Sequence, residues 1–231
     1  MKKYLIGDIH GHLDKLLACL ESVNFDYEND QLIQIGDVVD RGPDSYLCVE
    51  ELLKIKNLVA IRGNHDATFR DSIIAGDLDT NILYTQGGAE TKESYYKYCS
   101  KDEKGGIIIS SNHVKFFIKK QQNYYIDSDR NLFVHGGFNR HKLLKGQSEQ
   151  VFNWDRDLFL AYLSYLSMKD NTHLFKVKEK VSHIFIGHTP TTCFDSSIPL
   201  IFPLITNCDT GCGKDGLLTI MNLNNGEYKQ F

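Results

Sequence analysis

Six side chains with oxygen or imidazole donors recur in short glycine-flanked stretches of the 231-residue chain. The stretches are Gly7-Asp8-Ile9-His10-Gly11, Gly36-Asp37-Val38-Val39-Asp40-Arg41-Gly42, Gly63-Asn64-His65-Asp66, His135-Gly136-Gly137 and Gly187-His188-Thr189-Pro190. Their donors Asp8, His10, Asp37, Asn64, His135 and His188 include no thiolate. Such a set suits zinc, manganese or iron, and a carboxylate can bridge two ions. Flanking glycines let the backbone turn sharply and leave room beside a metal. Any one stretch says little, since a lone Gly-Asn-His-Asp can close an ordinary turn. Five in this order, each closing a short apolar run, form a strong signal.

Those runs are residues 3–6, 32–35, 58–61, 132–134 and 181–186. Short apolar runs closed by a glycine turn read as buried strands. Between the first three, Leu13, Leu16, Leu17 and Leu20 share one helix face. Residues 45–56 repeat that spacing with Leu47, Cys48, Leu52 and Ile55, behind Asp44 as N-cap. Strand, helix, strand, helix, strand predicts parallel βαβ units in an α/β sheet. Asp8 to Asp37 is 29 residues and Asp37 to Asn64 is 27, about one βαβ step each. The three sets should therefore land side by side beyond the carboxyl ends of the strands. Residues 90–99, 112–121 and 158–168 read as further helices. The last is apolar nearly all round, which suits the core better than a partner face. Residues 217–223 before Asn224-Asn225-Gly226 read as a strand and turn closing a hairpin.

Composition bounds the rest. The length fits one domain over residues 1–231. Hydrophobic residues at 42% and charged residues at 24% exclude disorder. A net charge of -4 with no basic stripe argues against a nucleic-acid partner. No apolar run is long enough to cross a membrane. Met1-Lys2-Lys3 starts like a secretory leader but meets Asp8 before an apolar region forms, so a cytoplasmic protein is expected. Six cysteines are compatible with free thiols there. Cys208 and Cys212 have a spacing zinc tolerates, but no second pair lies nearby, and all six read as structural.

The five stretches together resemble the calcineurin-like metallophosphoesterases. Val39-Asp40-Arg41-Gly42 is similar to the phosphoprotein phosphatase branch, and the chain looks most like its small bacterial and bacteriophage lambda type. Trp154-Asp155-Arg156 resembles that type's Trp-x-Arg segment, and Asn207-Cys208-Asp209-Thr210-Gly211 its Asp-Thr-Gly stretch. The likeness runs from Tyr4 to about Leu223. One departure is Asp66, where the branch usually has Glu and where dinucleoside tetraphosphate hydrolases also carry Asp.

The resemblance implies a central β-sandwich flanked by helices, with two divalent metals at the strand ends. Manganese is the first choice, iron or zinc the others. Asp8 and His10 would hold the first metal, Asp37 would bridge, and Asn64, His135 and His188 would complete the second. Metal-activated water would attack phosphorus directly. His65 would be the general acid, Asp40 its orienting partner, and Arg41 and Arg156 the phosphate grips. Asn64 and His65 would also face the substrate. A phosphorylated protein or small phosphoester is the expected partner, in a monomer or weak oligomer. Serine/threonine phosphatase is the main expectation; a dinucleoside polyphosphate hydrolase or broad-specificity phosphatase is the alternative. A non-catalytic scaffold should have lost ligands or the acid, and none is lost.

Other residues have plainer readings. His12, His113, His141, His173 and His183 read as surface or satisfied core. Tyr95, Tyr96 and Tyr98 read as a helix half in the core. Arg62 is expected to pair with a motif carboxylate, and Asp66 and Asp209 to support metal ligands through hydrogen bonds. Residues 68–113 and 139–180 are expected to shape substrate choice.

Overall fold

Period-two alternation sorts the strand residues onto two faces, and the two faces bury against different layers. The computed structural model describes residues 1–78, 84–103, 105–168 and 174–231, so His173 lies outside the described residues. Strands β1 (Lys3–Ile6), β2 (Gln31–Gln34) and β3 (Asn57–Ala60) pair in parallel, with Leu5 opposite Ile33 and Ile33 opposite Val59. On the other side of β1 runs antiparallel β11 (Thr219–Asn222), followed by β12 (Tyr228–Gln230). The second sheet holds β6 (Tyr124–Ile126), β7 (Asn131–Val134), β8 (His183–Ile186), β10 (Ile205–Asn207) and β9 (Leu200–Ile201), in that order. Its three central strands are parallel.

Leu5, Ile33, Ile35, Phe133, Phe185 and Met221 pack between the sheets. The rings of Phe133 and Phe185 stack at 4.9 Å. The opposite face of the first sheet, with Tyr4, Ile6, Leu32 and Ala60, packs on helices α1 (Leu13–Ser22) and α2 (Ser45–Leu53). In the second sheet Leu132, Val134, Ile184 and Ile186 pack on α6 (Glu149–Trp154) and α7 (Asp157–Ser167). The layers are therefore helix, sheet, sheet, helix, the helix-flanked β-sandwich that the resemblance implies. Each fully buried aliphatic contributes roughly 1.5–3 kcal/mol, so the strand ends sit on a stiff frame.

The remaining elements differ from the sequence reading in places. Asp44 does precede α2, but its side chain makes no capping bond. Backbone bonds from Gly42 N to His10 O and from Asp44 N to Gly11 O fix that entry instead. The helix expected over residues 112–121 is α-helical only as α5 (Ser111–Lys115). Residues Phe116–Lys120 widen into a π turn, and the Arg62 guanidinium takes the carbonyls of Phe117 and Gln121. Helix α3 (Asn64–Ala75) starts at Asn64 itself. Helix α4 (Gly88–Tyr98) and the β4 (Ser100–Lys101)–β5 (Ile107–Ile108) hairpin follow it. Helix α7 buries Leu158, Phe159 and Tyr162 on the second sheet and leaves Leu160 exposed. The closing hairpin forms as β11–β12. No described helix is long and apolar enough to cross a membrane.

Candidate active site

The turns after β1, β2, β3, β7 and β8 converge. Five of the eight non-glycine residues with positive φ among the described residues lie in them: His10, Asp37, Asp40, Arg41 and His188. Each such conformation costs of order 1 kcal/mol and persists only where its surroundings fix it. Here the loops knit together. Ile9 N and His10 N both donate to Asp37 O, at 3.0 and 2.9 Å, and Gly11 N donates to Val38 O. His188 N donates to Asp8 Oδ2 at 3.0 Å and His65 N to Asp37 Oδ1 at 2.9 Å. At Gly63 a Cβ would fall 2.0 Å from Asp37 Oδ1, so only glycine lets the third loop approach.

Asp8, His10, Asp37, Asn64, His65, His135 and His188 are all buried. His10 Nδ1 donates to Val39 O at 2.9 Å, and His135 Nδ1 to Ile35 O at 3.1 Å. Carbonyls only accept, so both rings carry a proton on Nδ1 and turn Nε2 toward Asp37. His10 Nε2 lies 3.6 Å from Asp37 Oδ2. His135 Nε2 lies 3.3 Å from Asp37 Oδ2 and 3.1 Å from Asn64 Oδ1. His188 Nε2 and Asp8 Oδ1 are buried with no hydrogen-bond partner. Acceptors thus converge on Asp37, which calls for a cation between them.

The electrostatics agree. Burial alone would raise Asp37, but His135, His65 and His10 outweigh it and hold the carboxyl well below its usual range. Burial lowers His135, yet Asp37 and Asp8 lift it to about 9. Burial, His135 and the Arg156 charge push His188 down to about 2, so its ring is neutral. Burial and Asp209 raise Asp8. A divalent ion would relieve both tendencies by replacing the proton on His135 and stabilising the Asp8 carboxylate. The donor set fits divalent metal.

Among the described residues, two groups of three donors lie within 4.8 Å of one another: His10, Asp37 and His65, and Asp37, His135 and His188. Asp8 stands outside both. His65 fits poorly as a ligand, because both its nitrogens are engaged. Nδ1 bonds Asp40 Oδ2 at 2.7 Å, and Nε2 faces Arg41 Nη2 at 3.2 Å. Guanidinium only donates, so Nε2 is the acceptor and Nδ1 the donor.

Sequence reasoning missed what holds Asp40. Thr91 Oγ1, on α4, donates to Asp40 Oδ1 at 2.7 Å and accepts from Asp40 N at 2.7 Å. Ser45 Oγ lies 3.0 Å from the same hydroxyl. Arg41 N donates to Gly87 O, and a Cβ at Gly87 would sit 2.2 Å from Arg41 N. The Gly87-Gly88 pair was the available signal for this close approach; a mid-helix threonine carries none.

Asp66 accepts from Val38 N at 2.9 Å, Gly63 N at 3.2 Å and Gln121 Nε2 at 2.8 Å, so it braces two loops and caps α3. Asp209 accepts from Gly211 N beside Asp8. Arg62 departs from expectation. Its ion-pair partner is Glu149, at 2.8 Å, which also binds Arg70 and so ties α3 to α6. Arg156 is exposed at the N-cap of α7, and the exposed Trp154 meets the His188 ring edge-on at 6.0 Å. The other described histidines lie outside the convergence. His113 is buried between Tyr95 and Glu50, His183 bonds Thr206 and Pro203 O, His12 is half-buried and His141 exposed. Tyr95 is core, while Tyr96 and Tyr98 are exposed. All six cysteines are free, and none joins the donors.

Residues 1–213 match the calcineurin-like phosphoesterase family. The chain belongs to that family. Serine/threonine-protein phosphatase 1 of Salmonella typhimurium is 41% identical over 69 residues, 30% of this chain and 32% of that protein. The symmetrical bis(5'-nucleosyl)-tetraphosphatase of Wigglesworthia glossinidia brevipalpis is 25% identical over 182 residues, 75% of this chain and 60% of that one. The matches therefore span a third to three fifths of these relatives' lengths. A crystal structure assigned as a diadenosine tetraphosphatase superposes over 100% of this chain and 92% of its own, with a TM-score of 0.68 at 18% identity, a likeness of fold.

Proposed function

We propose that this calcineurin-like phosphoesterase hydrolyses dinucleoside tetraphosphates symmetrically. Water adds across the central P–O–P bridge and two nucleoside diphosphates leave. The observation that carries the reading is the extent of the likeness: 75% of the chain for the W. glossinidia tetraphosphatase, against 30% for the Salmonella phosphatase. Asp66, where the phosphatase branch usually has Glu, agrees with it; its carboxylate accepts from Val38 N, Gly63 N and Gln121 Nε2.

In this reading Asp8 and His10 would hold one divalent ion and Asn64, His135 and His188 a second, with Asp37 shared between them. Manganese is the first choice. Bound there, the ions would supply charge neutralisation and the activation of water. Arg41 and Arg156 grip phosphate oxygens with paired donors, which lysine cannot match in geometry. Asp40 fixes the His65 ring, and His65 protonates the leaving oxygen. In the resting site His65 Nε2 accepts from Arg41, so His65 must first take up a proton. A nucleoside diphosphate leaves as an anion and makes less demand on that step than a serine alkoxide.

The second reading is a serine/threonine phosphatase. The 41% identity over 69 residues to the Salmonella enzyme and the Asp40-Arg41 pair favour it. Comparing kcat/KM for diadenosine tetraphosphate, a phosphoserine/phosphothreonine peptide and p-nitrophenyl phosphate separates the two. The proposal expects the dinucleotide to lead, with ADP as sole product; a peptide preference would overturn it.

A further inference from the structure

Past Asp209 the Asp-Thr-Gly stretch runs on into the turn Cys212-Gly213-Lys214-Asp215-Gly216. The turn is tightly built. Lys214 N and Gly216 N both donate to Gly211 O, at 2.8 and 3.0 Å, and Leu217 N donates to Thr210 O at 3.2 Å. Two further bonds tie it to the rest of the fold. The Cys212 thiol donates to Ile9 O of the first loop at 3.4 Å, and Lys15 Nζ, on α1, donates to Gly216 O at 2.9 Å. Fixed in this way, the turn lies directly against two site residues. A Cβ at Gly213 would overlap the His10 ring at Cδ2 and fall 2.7 Å from both Arg41 Cδ and Arg41 Nη1. Gly213 does not have a positive φ, so its backbone suits any residue. What glycine supplies there is room.

Arg41 is touched along its length. Gly87 comes so close that a Cβ there would fall 2.7 Å from Arg41 Cγ, and Gly213 lies at Cδ and Nη1. At the far end Nη2 lies 3.2 Å from His65 Nε2. The backbone is held at a φ of 74° with Arg41 N bonded to Gly87 O at 3.1 Å. An arginine that grips a ligand from a free surface loses rotamer freedom on binding. Here that freedom is already given up on folding, so the guanidinium fork meets phosphate oxygens in one orientation. The two segments that seat it, around residues 87 and 213, are distant in sequence, and each meets the arginine with a glycine.

We infer that Gly213 is a positioning residue for the Arg41 phosphate grip: the bare backbone of the 211–216 turn seats the guanidinium, and a side chain at 213 would unseat it. The inference rests on Arg41 binding phosphate, a role common to the dinucleotide and the phosphoprotein readings. A methyl group at 213 needs about 1 Å more room than Arg41 leaves it. The turn is held by its own bonds, and the His10 ring by its bond to Val39 O. The flexible end of Arg41 is therefore the part that yields.

Inorganic phosphate is the probe. Calorimetric titration of metal-loaded protein with orthophosphate, with elemental analysis of the same samples, compares wild type, Gly213→Ala, Arg41→Ala and the double variant. Gly213→Ala should keep its metal and bind phosphate about tenfold more weakly. In the Arg41→Ala background the same change should cost less than about twofold. Equal losses in the two backgrounds would overturn the inference, because a fault passed through His10 or through folding does not need Arg41. Metal lost from Gly213→Ala, with phosphate affinity per loaded site unchanged, would overturn it too. Arg41→Ala with wild-type phosphate affinity would sink the grip itself, and the inference with it. Should Gly213→Ala fail to fold, Lys15→Met loosens the same turn from outside the site by removing the bond to Gly216 O. It should weaken phosphate about threefold with Arg41 present and not without it; equal effects would again overturn the inference.

Discussion

Replacing Thr91 by Val removes one buried hydroxyl and nearly nothing else, which makes it a clean probe of the Asp40–His65 pair. The hydroxyl donates to Asp40 Oδ1 and accepts from Asp40 N, both at 2.7 Å. In the variant Asp40 keeps its bond to His65 Nδ1 at 2.7 Å, but its amide falls back on Ser45 Oγ at 3.3 Å. A hydrogen bond to a charged acceptor contributes about 1.5–3 kcal/mol. A loss of about 2 kcal/mol lowers Tm by roughly 4–8 °C in a chain of this length. If Asp40 swings even slightly, His65 loses its alignment, and about 1.4 kcal/mol of that is a tenfold loss in kcat. KM should change little, because Thr91 bonds Asp40 and Ser45 behind the site. Thermal melting plus kcat and KM on diadenosine tetraphosphate reads all three quantities, and Thr91→Ser should recover both Tm and kcat. A Thr91→Val protein with lowered Tm and unchanged kcat would refute the positioning role. So would a serine variant as slow as the valine one.

The other predictions are simpler. His188→Ala and Asn64→Ala should each reduce bound divalent metal, by elemental analysis after dialysis, and lower kcat by about 100-fold or more; a full metal complement would refute the assignment. His65→Asn should slow an alkyl phosphate more than an activated aryl phosphate, and equal losses would remove the acid role. Glu149→Ala strands the buried Arg62 and frees Arg70, so stability should fall by about 2 kcal/mol in a denaturant melt, with no loss expected if the pairs were idle. Burial holds His113 below its ordinary 6.5 despite Glu50. The folded protein therefore keeps that ring neutral while the unfolded chain protonates it. Its contribution is complete above about pH 6.5 and is lost on acidification. His113→Gln should show a smaller fall in Tm between pH 7 and pH 5 than the wild type.

The strand-end stretches were legible because each combines two local signals, an alternating apolar run and a glycine turn carrying a donor. Asp8, Asp37 and Asn64 follow one another at βαβ intervals, so the topology brings them together without any knowledge of side-chain packing. His135 and His188 follow from the same rule in the second sheet. What supports these residues was not legible. Thr91 is an ordinary helix position that becomes important only because α4 packs on the Asp40 turn, a contact set by tertiary structure. Arg62 was expected beside a motif carboxylate, but it binds carbonyls that exist only because residues Phe116–Lys120 form a π turn, and no propensity predicts that. Asp44 occupies its cap position without capping, since backbone bonds to the first loop already fix the entry to α2. Substrate choice was the least legible. The motifs on which the resemblance rests are shared by phosphatase and tetraphosphatase, so they do not choose between the two.

The central claim is that the acceptors gathered around Asp37 hold divalent metal and that hydrolysis depends on it. Bound metal per chain and diadenosine tetraphosphate hydrolysis, measured on the same samples before chelation, after it and after reloading with manganese, test this most directly. The account predicts about two ions per chain, activity lost on chelation, and recovery that follows metal content. Full activity in protein shown to be free of metal would contradict it.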